Sequence, residues 1–156
     1  MISVEMEPVS VKAFMNRILR EDILDQFEVR AAEMTIATRM TINGALEIHD
    51  SDEEIPQTPG YITWEALRPL LFAIIKTGAK PKLIKIVFSY KAAIAKDLHP
   101  NAAALFLNMT YENDAVSFTT ATAQREFALD KSLDDTWDNW TRSFFMENSI
   151  IVTDRE

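Results

Sequence analysis

Hydrophobic and polar residues alternate along several stretches of the chain, and this period of two predicts β-strands. Residues 2–6 alternate and predict a short first strand. Residues 33–42 alternate over a length that calls for a bulge or a turn within the strand. The Asn43-Gly44 pair follows, and it is favoured in two-residue hairpin turns, so we expect a return strand over residues 45–48.

The second half of the chain predicts three further strands. The run LIKIVFSY over residues 83–90 is rich in β-branched and aromatic residues and predicts a central strand. Residues 105–111 and 116–122 alternate on either side of Asn113-Asp114, which favours a second tight hairpin.

Three stretches carry the period of 3.6 residues that is typical of amphipathic helices. The first runs over residues 10–20 with Ser10 as its N-cap. The second runs over residues 63–77 with Thr63 as its cap, and Pro69 inside it predicts a kink or a delayed start. It stops at Gly78.

The C-terminal helix, over residues 132–146, has the clearest pattern. Ser132 and Asp135 form a variant of the capping box at its start. Its apolar stripe contains Leu133, Trp137, Trp140 and Phe144. We therefore expect both tryptophans to be mostly buried against the sheet.

The predicted element order is β-α-β-β-(β)-α-β-β-β-α, where the bracketed strand covers residues 61–62. This order predicts an α+β fold with a largely antiparallel sheet packed by two or three helices. We expect one domain over residues 1–156.

Composition removes many classes of protein. The chain has 156 residues and no cysteine, which excludes disulfide scaffolds, cysteine-based metal sites and thiol enzymes. It has only three glycines, too few for a P-loop or a dinucleotide fingerprint. Without a long apolar run or a signal-like start, we expect a cytoplasmic location and no membrane partner. No cofactor is expected.

Charge is unevenly distributed. The net charge is −8 overall, but residues 61–100 carry +5 while the flanking segments carry −7 and −6. The acidic total disfavours nucleic acid as a partner, although a basic face could still meet an anionic one.

Few residues offer a pattern for chemistry. His49 and His99 lie in predicted loops without partners at ligand spacing. Asp50, Asp52 and Glu54 imitate the start of a calcium loop, but its glycine and its final glutamate are missing. Whether this acidic loop, residues 49–60, binds a cation stays open. No catalytic residue and no metal ligand is predicted.

Three stretches carry a resemblance: LRPLLFAIIK at 67–76, KIVFSY at 85–90 and LDKSLDDTWDNW at 129–140. They resemble a family of small bacterial proteins, mainly clostridial Firmicutes, that is classed as a domain of unknown function. This resemblance implies no activity and transfers no site residue.

The order of elements is also similar to one domain of a DNA sliding clamp, in which two helices lie side by side under a curved sheet. That similarity implies that the outer faces of the first two helices meet an anionic partner. The residues on these faces would be Lys12, Arg17, Arg20, Arg68 and Lys76, with Asn16 among them.

Three functions follow from these patterns. The leading one is a non-catalytic cytoplasmic module for binding or assembly, with a protein partner or a second copy of the chain. The second is a small-molecule binder or enzyme with a pocket between the sheet and the C-terminal helix, near Trp137 and Trp140. The third is a clamp-like protein associated with nucleic acid.

The acidic loop generates a first prediction. Replacing Asp50, Asp52, Glu53 and Glu54 by serine leaves the melting temperature nearly unchanged, because solvated carboxylates without partners stabilise little. Thermal unfolding with and without millimolar calcium measures this. A calcium-induced rise in the wild type that the variant lacks would contradict it.

Overall fold

One antiparallel sheet of seven strands forms the frame of the molecule. The computed structural model describes residues 1–47, 60–77 and 80–155. Within these residues the α+β class and the antiparallel sheet are confirmed. The strands lie in the order β3 (Arg39–Asn43), β2 (Phe27–Thr35), β4 (Leu83–Tyr90), β5 (Ala102–Glu112), β6 (Ala115–Gln124), β1 (Ser3–Met6) and β7 (Val152–Asp154).

The helices that cover the sheet share one face of it. They are α1 (Val11–Arg20), α2 (Trp64–Thr77) and α4 (Ser132–Glu147), while the short α3 (Ala92–Leu98) connects β4 to β5. Phe118 of β6 contacts Phe14 of α1 and Phe145 of α4, with ring centroids 5.7 and 4.9 Å apart. Trp64 of α2 contacts Phe88 of β4 at 5.2 Å. The strand register places Phe88 and Phe118 on the same face, so α1, α2 and α4 lie on one side.

The opposite face of the sheet carries a row of polar side chains. Lys85, Thr110, Ser117 and Glu5 stand in register across β4, β5, β6 and β1. Side chains on successive strand positions point to opposite faces, so this polar row faces away from the helices. Within the described residues, the aromatic core that α1, α2 and α4 cover therefore lies on one side of the sheet.

Two buried tryptophans connect the helices to this core. Trp64 is fully buried, and its indole N–H donates to the carbonyl oxygen of Ile18 at 2.9 Å. Trp137 is 1% exposed, and its indole N–H donates to the carbonyl oxygen of Phe106 at 2.8 Å. Each bond satisfies a donor that would otherwise be buried without a partner.

The second predicted hairpin is confirmed, and the first is wrong. Asn113 and Asp114 have φ of 54° and 60°, as a two-residue turn of this kind requires. Asn43-Gly44, by contrast, makes no hairpin, because β2 turns into β3 over residues 36–38. Gly44 lies against the backbone of Val29, where an added Cβ would stand 1.7 Å from the carbonyl oxygen. Beyond it, within residues 45–47, the predicted return strand is reduced to a single bridge.

The helix starts follow the predictions only in part. Thr63 caps α2, since its hydroxyl accepts the Ala66 N–H at 3.3 Å, and α2 begins at Trp64 with no delay from Pro69. The caps predicted at Ser10 and Ser132 are not formed. Their hydroxyls donate to the carboxylates of Glu7 and Asp130 instead.

Some predictions cannot be followed in the structure. Apart from Gly60, the acidic loop lies outside the described residues, and so do His49 and the helix stop at Gly78. In the described part of the chain, no helix has the length and apolar character needed to cross a bilayer.

Trp137 generates the stability prediction for the fold. Trp137→Ala lowers the free energy of unfolding by about 3–5 kcal/mol, because it opens a cavity between α4 and the sheet. Chemical denaturation measures this change. Met146→Ala is the matched control, since Met146 is on the same helix and 80% exposed, and it should be close to neutral. Equal effects of both substitutions would contradict the packing of α4.

Candidate functional site

A groove of about 530 Å³ lies beside α4, between this helix and the loop that joins α1 to β2. We call it the Trp140 groove. Polar and apolar groups contribute about equally to its lining. The lining residues are Asp22, Ile23, Gln26, Asn139, Trp140, Ser143, Phe144, Glu147 and Asn148.

The helix supplies one wall of the groove through its spacing. Asn139, Ser143 and Glu147 are four residues apart, so they form a polar stripe along one side of α4. Trp140 and Phe144 form the adjacent apolar stripe. The groove therefore lies at the boundary between the polar and apolar faces of α4.

Trp140 is held rigidly in this wall. The rings of Trp137 and Phe144 lie nearly parallel to it, at interplanar angles of 14° and 8° and centroid distances of 5.0 and 5.4 Å. These two residues are two helical turns apart, so they stack on opposite sides of Trp140. Phe27 and Tyr90 contact it from the sheet. Trp140 is partly buried and Trp137 is 1% exposed, so the prediction that both tryptophans are mostly buried is confirmed.

The other wall is fixed by an ion pair. The Arg68 guanidinium donates to both carboxylate oxygens of Asp25, with N–O distances of 2.8 and 3.0 Å, and it also reaches the carbonyl oxygen of Leu19. The Arg68 and Asp25 side chains are only 19% and 14% exposed. Hydrogen bonding to Asp25 raises the pKa of Arg68. This pair ties the α1–β2 loop, with Asp22 and Gln26, to α2.

The charge of the groove is negative. Asp22 and Glu147 have no ion pair or side-chain hydrogen bond within the described residues, and no lysine or arginine is among the lining residues. Arg68, behind the loop, attracts Asp22 without a direct contact. The amides of Gln26, Asn139 and Asn148 add further hydrogen-bonding groups. The arrangement can bind a small polar cation.

The basic residues predicted from the clamp similarity lie on two adjacent helices. Helices α1 and α2 pack side by side, as expected for that similarity. Arg68 is occupied by Asp25, and Arg17 pairs with Glu21 at 3.3 Å. Arg20 lies over the ring of Phe72, 5.0 Å from its centroid. Lys12 and Lys76 are exposed.

His99 belongs to a chain of hydrogen bonds that the sequence did not reveal. Its Nδ1 accepts the Asn101 N–H at 3.0 Å, so its Nε2–H donates to the Ser132 hydroxyl at 2.9 Å. Ser132 in turn donates to Asp130 at 2.5 Å, which lowers the pKa of Asp130. In this tautomer Nε2 cannot accept the serine proton, so the chain differs from a catalytic triad.

The carboxylates of Asp134 and Asp138 hold α4 on the sheet. Asp134 accepts the hydroxyl of Thr122, and Asp138 accepts that of Thr120 at 2.5 Å. Among the described residues, no group of three or more potential ligands is arranged to hold a metal ion.

The sequence had indicated a pocket near Trp137 and Trp140, between α4 and the sheet. Trp137 fills that space, and the groove opens beside α4 at Trp140 instead. Asp22 and Gln26 were missed, because a loop after a helix carries no signal that it will meet a helix more than 110 residues later. The polar stripe of α4 beside Trp140 was the one feature of the sequence that could have located the groove.

The ion pair of Asp25 generates a prediction. Asp25→Asn lowers the free energy of unfolding by about 1.5–3 kcal/mol, because it leaves a largely buried guanidinium without its charged acceptor. Glu21→Gln is the matched control, since it removes an exposed pair worth about 0.3–0.5 kcal/mol. Urea unfolding of both variants compares them. A loss for Asp25→Asn no larger than that of the control would contradict the anchoring role.

Comparison with known proteins identifies the family but adds no activity. A family described as "Family of unknown function (DUF5721)" matches residues 17–153, a range that contains every lining residue of the Trp140 groove. Searches of curated proteins and of solved structures found no match. The resemblance to a domain-of-unknown-function family is confirmed, and the chain belongs to DUF5721, a family of unknown function.

Proposed function

We propose that this protein is a non-catalytic, cytoplasmic binding module of one domain whose Trp140 groove takes a small organic cation. The observation that carries the proposal is the pair of unpaired carboxylates, Asp22 and Glu147, on the two walls of one groove. Amide and hydroxyl groups surround them, and Trp140 forms a rigid apolar wall.

The polar groups favour a cation with several N–H donors. Carboxylate oxygens are acceptors only, and amide oxygens accept further bonds, so the groove offers many acceptors to a ligand. A guanidinium group presents planar donors that match carboxylates two at a time, and its flat surface packs against aromatic rings. A protonated alkylamine carries the same charge, but the hydrogen bonds of its ammonium group are less directional.

The size and rigidity of the groove support a small ligand. Its volume of about 530 Å³ lies within the usual range for ligand sites, about 300–1,000 Å³. One wall is stacked in the aromatic cluster, and the other is tied by Arg68 and Asp25. The aromatic wall and the backbone of the loop are therefore preorganised, which favours affinity, while the exposed Asp22 and Glu147 side chains become ordered on binding.

A nucleic-acid function is the weaker candidate. The side-by-side arrangement of α1 and α2 favours it, since a clamp-like domain presents two such helices to DNA. Against it, Asp25 and Glu21 neutralise two of the five basic residues, and the net charge of −8 repels phosphate. A small cation fits both the local and the overall charge.

Calorimetric titration with n-butylguanidinium tests the proposed function. We expect binding that weakens as salt rises, and no binding of n-butylurea, which has nearly the same shape without the charge. The double variant Asp22→Asn, Glu147→Gln removes the charge of the groove and should weaken binding at least about tenfold.

The control is Glu126→Gln, which removes an exposed carboxylate outside the groove and should leave the affinity unchanged. Equal affinity for butylguanidinium and butylurea would contradict the proposal, and so would full binding by the double variant. Circular dichroism of each variant shows whether it is folded.

A further inference from the structure

Two large apolar side chains are fully exposed on one short loop. Phe127 is 86% exposed and Leu129 is 88% exposed, in the connection between β6 and α4. We call residues 125–131 the Phe127 loop. Large apolar side chains at this level of exposure, two residues apart on one loop, are typical of contact sites.

Side-chain amides hold the backbone of this loop in place. Asn101 accepts the Glu126 N–H and donates to the Glu126 carbonyl oxygen, both at 2.9 Å. Gln124 binds the N–H and the carbonyl oxygen of Ala128 in the same way, at 3.1 and 3.2 Å. These bonds bracket Phe127, so they hold the backbone that carries it in a fixed conformation.

The end of the loop is fixed as well. Asp130 accepts the backbone N–H and the hydroxyl of Ser132, and Ser132 is bound by His99. An ordered loop loses little conformational entropy when it docks. The chain of hydrogen bonds through His99 thus holds the end of the loop in place, and this role needs no catalytic step.

An apolar groove of about 620 Å³ lies on the other end of the molecule, between α1 and the segment that leads into β4. We call it the α1 groove. Its floor includes Val11, Met15, Leu19, Ile75 and Ile84. The groove is therefore large enough and apolar enough for both side chains of the Phe127 loop.

The rim of the α1 groove carries a free cation. Lys12 lines the groove and has no ion pair or hydrogen bond within the described residues, whereas the other lining lysine, Lys80, is paired with Asp114. On the loop, the Glu126 carboxylate directly precedes Phe127 and is likewise unpaired there. The loop also carries two cations: Arg125, whose guanidinium donates to the carbonyl oxygen of Ala102, and Lys131, two residues beyond Leu129.

The loop and the groove cannot meet within one molecule. The α1 groove touches Tyr111 and Asp114, at the turn of the β5–β6 hairpin, while the Phe127 loop touches Asn101 and Ala102 at its open end. The strand between them, Ala102–Glu112, is roughly 34 Å long.

We propose that the Phe127 loop of one molecule docks in the α1 groove of a second copy, with Phe127 and Leu129 on the apolar floor and Glu126 beside Lys12. The two surfaces are different and lie at opposite ends, so the contact is head-to-tail and extends to further copies. The proposal is independent of the Trp140 groove.

Analytical ultracentrifugation of two complementary variants tests the docking. The double variant Phe127→Ser, Leu129→Ser removes the apolar contact surface of the loop and leaves the groove intact. Lys12→Glu with Asn16→Trp blocks the groove at two exposed positions and leaves the loop intact. We expect the wild type to associate as concentration rises, and each variant to be monomeric. An equal mixture of the two should form one-to-one dimers and nothing larger.

Charge-reversal variants at Lys12 and Glu126 provide a second test of the docking. Lys12→Glu alone and Glu126→Lys alone should each weaken association roughly tenfold, and the two together in one chain should restore it. A wild type that is monomeric at its highest soluble concentration would overturn the proposal. A mixture of the two folded double variants that stays monomeric would also overturn it, because the mixture contains an intact loop and an intact groove.

Discussion

The burial of apolar surface on one face of the sheet is the constraint on which the rest of the structure depends. Helices α1, α2 and α4 must all find their apolar partners on that face, because the other face is lined by polar residues such as Lys85 and Thr110. Trp64 and Trp137 then fix where the helices lie, since each indole N–H has one buried carbonyl oxygen within reach.

Both proposed sites arise where this one-sided packing ends. The aromatic stack of α4 continues from Trp137, which is buried, to Trp140, which is partly buried, and there it meets the α1–β2 loop. The α1 groove opens on another side of the same helical layer, beside Met15 and Ile75. Each site thus continues the core on its apolar side, and its charged side chains lie at the exposed edge.

The sequence predicted what depends on periodicity. The stripe of α4 located Trp137 in the core, and Asn113-Asp114 located a turn, because both signals are local. The sequence could not show that Trp140 is more exposed than Trp137, because a helical period does not indicate where the sheet stops covering the helix. Gly44 satisfied a local turn preference, but its close approach to Val29 is a tertiary contact. Arg68 was assigned to an anion-binding face, because its partner Asp25 lies 43 residues earlier in the chain.

Quenching of tryptophan fluorescence is the measurement that tests the candidate site most directly. Trp64 and Trp137 are 0% and 1% exposed, so Trp140 is the tryptophan that a dissolved quencher can reach. In a groove with unpaired carboxylates, the caesium cation should quench more than iodide at equal ionic strength, relative to free indole. Trp140→Phe should abolish that difference. Iodide quenching that equals or exceeds caesium quenching in the wild type would contradict an electronegative Trp140 groove. A difference between the two ions that is unchanged in Trp140→Phe would contradict the accessibility of Trp140.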